Sequence, residues 1–323
     1  MSANKSPENK ELIATLRQHH INILSEIERF IPDKEPKKYL YDLVKEYPSR
    51  NGKGFRPGLC LIVNKLFGGD ESLALNTATA LELIHNAFLV HDDVEDKSLL
   101  RRGRATLNSD FGNSIAINIG DAMNLLSLTL LNRNYEILDI KLATRIFKEF
   151  EFMITQTLEG QAQELGWIHE GNYAISEEQY LKMVLQKTCW YTTMEPIRLG
   201  IMLSNNPLGG NLNDYNYLGY YMGASFQIQD DILNLVGDQM KYGKEIGGDI
   251  IEGKRTLILI NLLKNCTSKE EKSIKHILNN KSKTTHTEVK YILDMMEQYG
   301  CIEYSQRCAL NLAEAAISEL KVF

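Results

Sequence analysis

Apolar residues recur along most of this chain at spacings of three and four, and runs that alternate apolar with polar are few. No proline occurs between Pro57 and Pro196, and that long stretch is rich in Leu, Ile, Ala and Glu. An interior proline would break a helix, so its absence leaves the helical reading open throughout. The spacing predicts helices over residues 8–30, 36–47, 55–67, 71–97, 111–132, 139–168, 176–204, 211–236, 255–264, 269–279, 285–298 and 300–320. Turn signals punctuate them: Ser49-Arg50-Asn51-Gly52, Gly68-Gly69-Asp70, Asn205-Asn206-Pro207 and Gly209-Gly210. The segments 71–97 and 211–236 are apolar on most faces apart from their acidic ends, as helices in the middle of a bundle are. The lysine-rich segment 265–287 reads as a solvated surface helix with loops. The fold class predicted is all-α, a bundle of about ten to thirteen helices around a central cavity. Nothing in the pattern suggests a linker, so residues 1–323 read as one domain, with 1–7 a flexible tail.

Composition narrows the class. Hydrophobic residues make up 43% and charged residues 24% of 323, ordinary values for a soluble globular protein. A net charge of −6 argues against a general nucleic-acid binder. No apolar run reads as a transmembrane segment, and the opening MSANKSPENKE lacks the apolar core of a signal peptide. The five cysteines are scattered without metal-type spacing and read as free thiols in a reducing cytoplasm.

Chemistry concentrates in two acidic runs. The first is Asp92-Asp93 with Asp96, in which Asp92 and Asp96 stand one turn apart on one helix face. The second is Asp230-Asp231. Carboxylates on one face repel unless a cation lies between them, and hard oxygen ligands that leave room for water and phosphate suit magnesium. Two such faces across a cavity would clamp magnesium and a pyrophosphate, which points to chemistry on a diphosphate ester. Basic residues lie nearby in sequence: Lys53 and Arg56 within Gly52-Lys53-Gly54-Phe55-Arg56-Pro57, the pair Arg101-Arg102 before Gly103, and Lys187-Thr188 within an apolar helix. Paired arginines match phosphate oxygens. Each of these segments taken alone also fits a surface salt bridge, a basic turn or a solvated helix face.

Together they resemble the trans-type isoprenyl diphosphate synthases, the head-to-tail prenyltransferases of the polyprenyl synthetase type. The matching segments are GKGFRP at 52–57, ELIHNAFLVHDDVED at 82–96, LLRRG at 99–103, GQAQEL at 160–165, YLKMVLQKT at 180–188, GASFQIQDDILNLVGD at 223–238 and GKEIGGDIIEGKRT at 243–256. The DDVED run and the asparagine ending DDILN look most like the geranylgeranyl diphosphate branch. The resemblance implies the isoprenoid synthase fold, a homodimer and three magnesium ions per active site. Asp92, Asp96 and Asp230 would hold magnesium on the allylic diphosphate, with Asp93 and Asp231 beside them. Arg101, Lys187, Thr188, Gln227, Lys244 and Lys254 would contact that same substrate, which is dimethylallyl, geranyl or farnesyl diphosphate. Lys53, Arg56, His85 and Arg102 would hold isopentenyl diphosphate. The allylic C–O bond breaks, the isopentenyl double bond attacks the carbocation, and a proton leaves to the pyrophosphate. The glycine-rich loop 243–253 is the element expected to close over this reaction.

Product length in such enzymes depends on a floor beneath the first motif. Ala87 is small and open, Phe88 is bulky one turn below Asp92, and Ile84 lies one turn deeper. This combination favours the C20 product geranylgeranyl diphosphate, with farnesyl diphosphate (C15) or a C25 product as alternatives. Asn234 departs from the family pattern by standing where a third carboxylate of the second motif is usual. A class I terpene cyclase and a non-catalytic subunit of a heteromeric synthase are the readings from other classes.

Overall fold

The structure, a computed structural model, describes residues 7–50, 52–204, 206, 209–237, 246–280 and 284–321, and only the backbone of 7–9. The tail expected at 1–7 lies outside the described residues except for Pro7. Among the described residues the architecture is all-α apart from one two-stranded hairpin. The helices are α1 (Pro7–Phe30), α2 (Asp42–Glu46), α3 (Phe55–Leu66), α4 (Glu71–Glu95), α5 (Leu107–Phe111), α6 (Asn113–Ile137), α7 (Ile140–His169), α8 (Glu177–Val184), α9 (Glu195–Ser204), α10 (Asn216–Val236), α11 (Gly248–Glu252), α12 (Leu257–Asn265), α13 (Ser268–Asn279), α14 (His286–Gln298) and α15 (Cys301–Leu320).

Local sequence sets many of the boundaries. Asp70 caps α4 by accepting from the Ser72 amide, and Glu71 follows in the first turn. Reciprocal capping boxes open α8 (Ser176 with Gln179), α13 (Thr267 with Glu270) and α14 (Thr285 with Glu288). The predicted helix 176–204 divides into three parts. Between α8 and α9 the backbone runs as a wider π-helix, Leu185–Met194, a form often found at functional sites. Three elements escape the periodic pattern: the hairpin Leu100–Arg101 with Arg104–Ala105, α5, and α11. Each is only two to five residues long, too short to show a period.

The chain forms two compact units. The first comprises Met1–Phe152 with Tyr191–Tyr215, and the second Met153–Trp190 with Asn216–Phe323. In the first unit α4 packs on α6 and α3 packs on α9, around Val44, Leu61, Leu83, Ile119 and Leu199. The Asn134 amide of α6 donates to Thr77 Oγ1 of α4 at 2.8 Å, which satisfies a polar pair in this contact. In the second unit α10 packs on α15, with Ile228, Ile258, Leu262 and Ile292 buried.

Among the described residues two helices, α4 and α6, are long and apolar enough to cross a membrane by length and composition, so the expectation that no stretch qualifies was too strict. In α4, 72% of the apolar window is buried inside the protein, as a core helix requires. In α6 that share is 39%, and Ile117, Leu125, Leu128, Tyr135 and Ile137 are exposed.

Candidate active site

α4 ends on Asp92, Asp93 and Glu95, with Asp96 as its C-cap and no basic residue in the last turn. A helix C-terminus carries partial negative charge, so these acids sit where the backbone disfavours them. Asp93 turns inward and is 1% exposed. Tyr47 donates its hydroxyl to one Asp93 oxygen. Arg101 donates to the other, through Nε at 2.8 Å and also through Nη2. Burial raises the Asp93 carboxyl above the usual range, and Arg101 opposes that rise. Arg101 Nη2 also lies 3.5 Å from Asp92 Oδ2. Arg101 is thus tied to the acids, with Asp93 as its anchor, while Asp92 and Asp96 are half-buried.

The hairpin explains how neighbouring arginines do different work. Arg102 and Gly103 adopt φ of 54° and 76°, which makes the two-residue turn of the I′ type between the strands. Arg101 thereby reaches Asp93, and Arg102 reaches Gly52. A Cβ at Gly52 would stand 2.9 Å from Arg102 Nη1, so a side chain there would crowd the guanidinium. Arg56 opens α3 nearby in sequence. Its Nη1 is 3.2 Å from His85 Nε2, its Nη2 donates to Thr192 Oγ1 at 2.8 Å, and its guanidinium lies 4.3 Å over the Tyr191 ring. Burial and the surrounding arginines push His85 well below its usual range.

Arg56 Nε, Arg102 Nη1 and His85 Nδ1 are buried without a hydrogen-bond partner. Among the described residues no carboxylate lies within ion-pair distance of Arg56 or Arg102. Arg56, buried, and Arg102, half-buried, each keep a buried donor unused, and together they form a receptor for an anion rich in oxygen. Lys53 stands exposed beside them in the chain.

The remaining site residues belong to the second unit. Thr188 Oγ1 donates to Gln227 Oε1 at 2.7 Å, and Gln227 Nε2 donates to Asp231 Oδ1 at 2.7 Å. Tyr180 donates to Asp231 Oδ2, also at 2.7 Å. This chain fixes the orientation of the Gln227 amide. Burial and the neighbouring Asp249 push the Asp231 carboxyl well above the usual range. Asp231 is 6% exposed, whereas Asp230 beside it is half-buried. Lys187 donates to Glu164. Gly160, one turn before Glu164, lets the two backbones meet, since a Cβ there would lie 2.3 Å from the Lys187 amide nitrogen. Lys254 pairs with Glu252 at 2.6 Å and lies 3.6 Å from Asp249. Lys244 lies outside the described residues.

Sequence reasoning missed Tyr47, Glu164, Tyr180, Tyr191 and Asp249. The GQAQEL segment offered a signal for Glu164, and the aspartate of GGD offered one for Asp249. The loop expected at 243–253 contains a helix, α11, bounded by Gly247 and Gly253 in the left-handed region. Below the first motif, Ala87 and Ile84 are buried, and Phe88 meets the edge of the Tyr191 ring at 5.6 Å.

The polyprenyl synthetase family model matches residues 37–296. The chain belongs to the polyprenyl synthetase family. It is therefore a trans-prenyltransferase of the isoprenyl diphosphate synthase type. It is 32% identical to the geranylgeranyl diphosphate synthase of Saccharolobus solfataricus, over 84% of this chain and 80% of that protein. It is 33% identical to a short chain isoprenyl diphosphate synthase of Methanocaldococcus jannaschii, over 88% and 84% respectively. The crystal structure of geranylgeranyl pyrophosphate synthetase from Pyrococcus horikoshii superposes with a TM-score of 0.85 at 29% identity, covering 98% of this chain and 93% of that one.

Proposed function

We propose that this family member is a magnesium-dependent head-to-tail prenyltransferase whose product is geranylgeranyl diphosphate. The observation that carries the reading is the set of buried polar atoms without partners, Arg56 Nε, Arg102 Nη1 and His85 Nδ1, with Arg101-Arg102 close in sequence to an acid-rich helix end. Lys53, Arg56, His85 and Arg102 bind isopentenyl diphosphate, which keeps its diphosphate and so needs only hydrogen-bonding cations. Asp92, Asp96 and Asp230 hold magnesium against the allylic diphosphate, with Arg101, Lys187, Lys244 and Lys254 adding positive charge.

Among the described residues no three His, Cys, Asp or Glu side chains converge as a preformed metal cage. That fits magnesium, which keeps much of its shell for water and substrate phosphate and binds through one or two carboxylates. When bound, it supplies charge to the departing diphosphate. Thr188 and Gln227 hold Asp231 in place, and Asp93 holds Arg101. Closure against water protects the carbocation from capture as an alcohol.

The names of the relatives support a short product, and Phe88 supports a floor near twenty carbons. Tyr191 backs Phe88 edge-on, so the floor is braced. Phe88→Ala should shift the product to longer chains, read by mass spectrometry after dephosphorylation. An unchanged product length would remove Phe88 from the floor.

The reading includes one domain over 1–323, a cytoplasmic location, and a homodimer that covers the exposed apolar face of α6. The solution mass should be near twice 36.8 kDa; a monomer mass would remove the dimer.

A further inference from the structure

The third position of the second acidic motif holds Asn234, which is 3% exposed. Its side-chain oxygen accepts from the Asp249 amide at 3.0 Å, and its backbone carbonyl accepts from the Gly247 amide at 2.7 Å. Both donors belong to the start of α11, whose first N–H groups have no partner within the helix. Asn234 therefore acts on α11 as a cap does, although it comes from a different helix. The far end of the same segment is also fixed. The Lys254 amide donates to the Asp249 carbonyl at 2.9 Å. Arg255 Nε donates to the Asn172 carbonyl at 2.7 Å, and its guanidinium lies 4.0 Å over the Tyr173 ring.

Between these two anchors stand Asp249, whose charge acts on the Asp231 carboxyl, and Lys254, which lies 3.6 Å from Asp249. We propose that Asn234 is a positioning residue that pins the segment 247–254 through two backbone amides, and is not itself a magnesium ligand. It acts on the reaction through Asp249 and Lys254. The inference rests on the magnesium-dependent reading above for its functional consequence, but the clamp itself does not. An amide is sufficient at the position because the contact needs only an acceptor oxygen for the Asp249 amide.

The test uses the full chain. Hydrogen exchange by mass spectrometry on metal-free protein should show residues 246–253 exchanging severalfold faster in Asn234→Ala than in wild type, with α12 unchanged. Half-saturating magnesium for turnover is then measured for Asn234→Asp, which keeps the acceptor oxygen and adds the charge that a ligand would use. The clamp predicts no gain in magnesium affinity, together with protection of 246–253 as in wild type. Unchanged exchange in Asn234→Ala would overturn the proposal. So would a severalfold fall in half-saturating magnesium for Asn234→Asp. If wild type fails to elongate any substrate, the functional reading fails while the exchange result still decides the clamp.

Discussion

Asp92→Asn should cost about a thousandfold or more in kcat, the scale expected when a charge acting on the transition state is removed. The same variant should unfold in metal-free buffer at the wild-type temperature or slightly above it. The two effects have one cause. Asp92 lies in the last turn of α4, among Asp93, Glu95 and Asp96, and the cation facing it, Arg101 at 3.5 Å, is already held by Asp93. The negative end of the helix dipole opposes every one of these charges. Residues kept for packing do not collect there. An acid cluster of this kind is maintained at a cost of a few tenths of a kcal/mol each, and bound cations offset it. Steady-state kinetics and thermal unfolding on one preparation read both effects. A loss smaller than tenfold, or a clear drop in stability, would make Asp92 a structural residue.

Arg101→Leu should destabilise the folded protein by about 3–5 kcal/mol, the range for breaking a buried ion pair by removing one partner. Asp93 is 1% exposed and depends on Arg101 and Tyr47 for its hydrogen bonds. Without the guanidinium its carboxyl, already raised by burial, rises further. A carboxyl whose folded value lies above its unfolded value stabilises most at low pH, and this contribution is lost as pH rises through the folded value. The deficit of the variant should therefore be smallest in acid and grow towards neutral pH. Denaturant unfolding at an acid and a neutral pH measures this. A deficit independent of pH would locate the loss in side-chain packing instead.

Twelve predicted helical stretches correspond to helical segments because long amphipathic runs carry their period in the sequence. The same rule hides short elements. The Arg102-Gly103 turn rests on two left-handed residues, and only the glycine gave a sign of it. The acidic motifs were legible because carboxylates one turn apart state their geometry. Partners distant in sequence were not: Glu164 meets Lys187 across a backbone contact that depends on Gly160, and Tyr47 reaches Asp93 from 46 residues away. Asn234 shows the opposite limit. Its position in the motif is one where a third carboxylate is usual, while its side chain bonds an amide 15 residues further on. A motif places a residue within a family but does not say which way its side chain turns.

The most direct test of the account is a two-substrate incorporation assay. Purified protein is incubated with magnesium, dimethylallyl diphosphate and isotope-labelled isopentenyl diphosphate, and both the hydrocarbon chain and the pyrophosphate are quantified. The account predicts one labelled five-carbon unit gained for every pyrophosphate released, with the label accumulating as the chain lengthens. Release of pyrophosphate without label in the hydrocarbon product would contradict it, as would no reaction at all from folded protein.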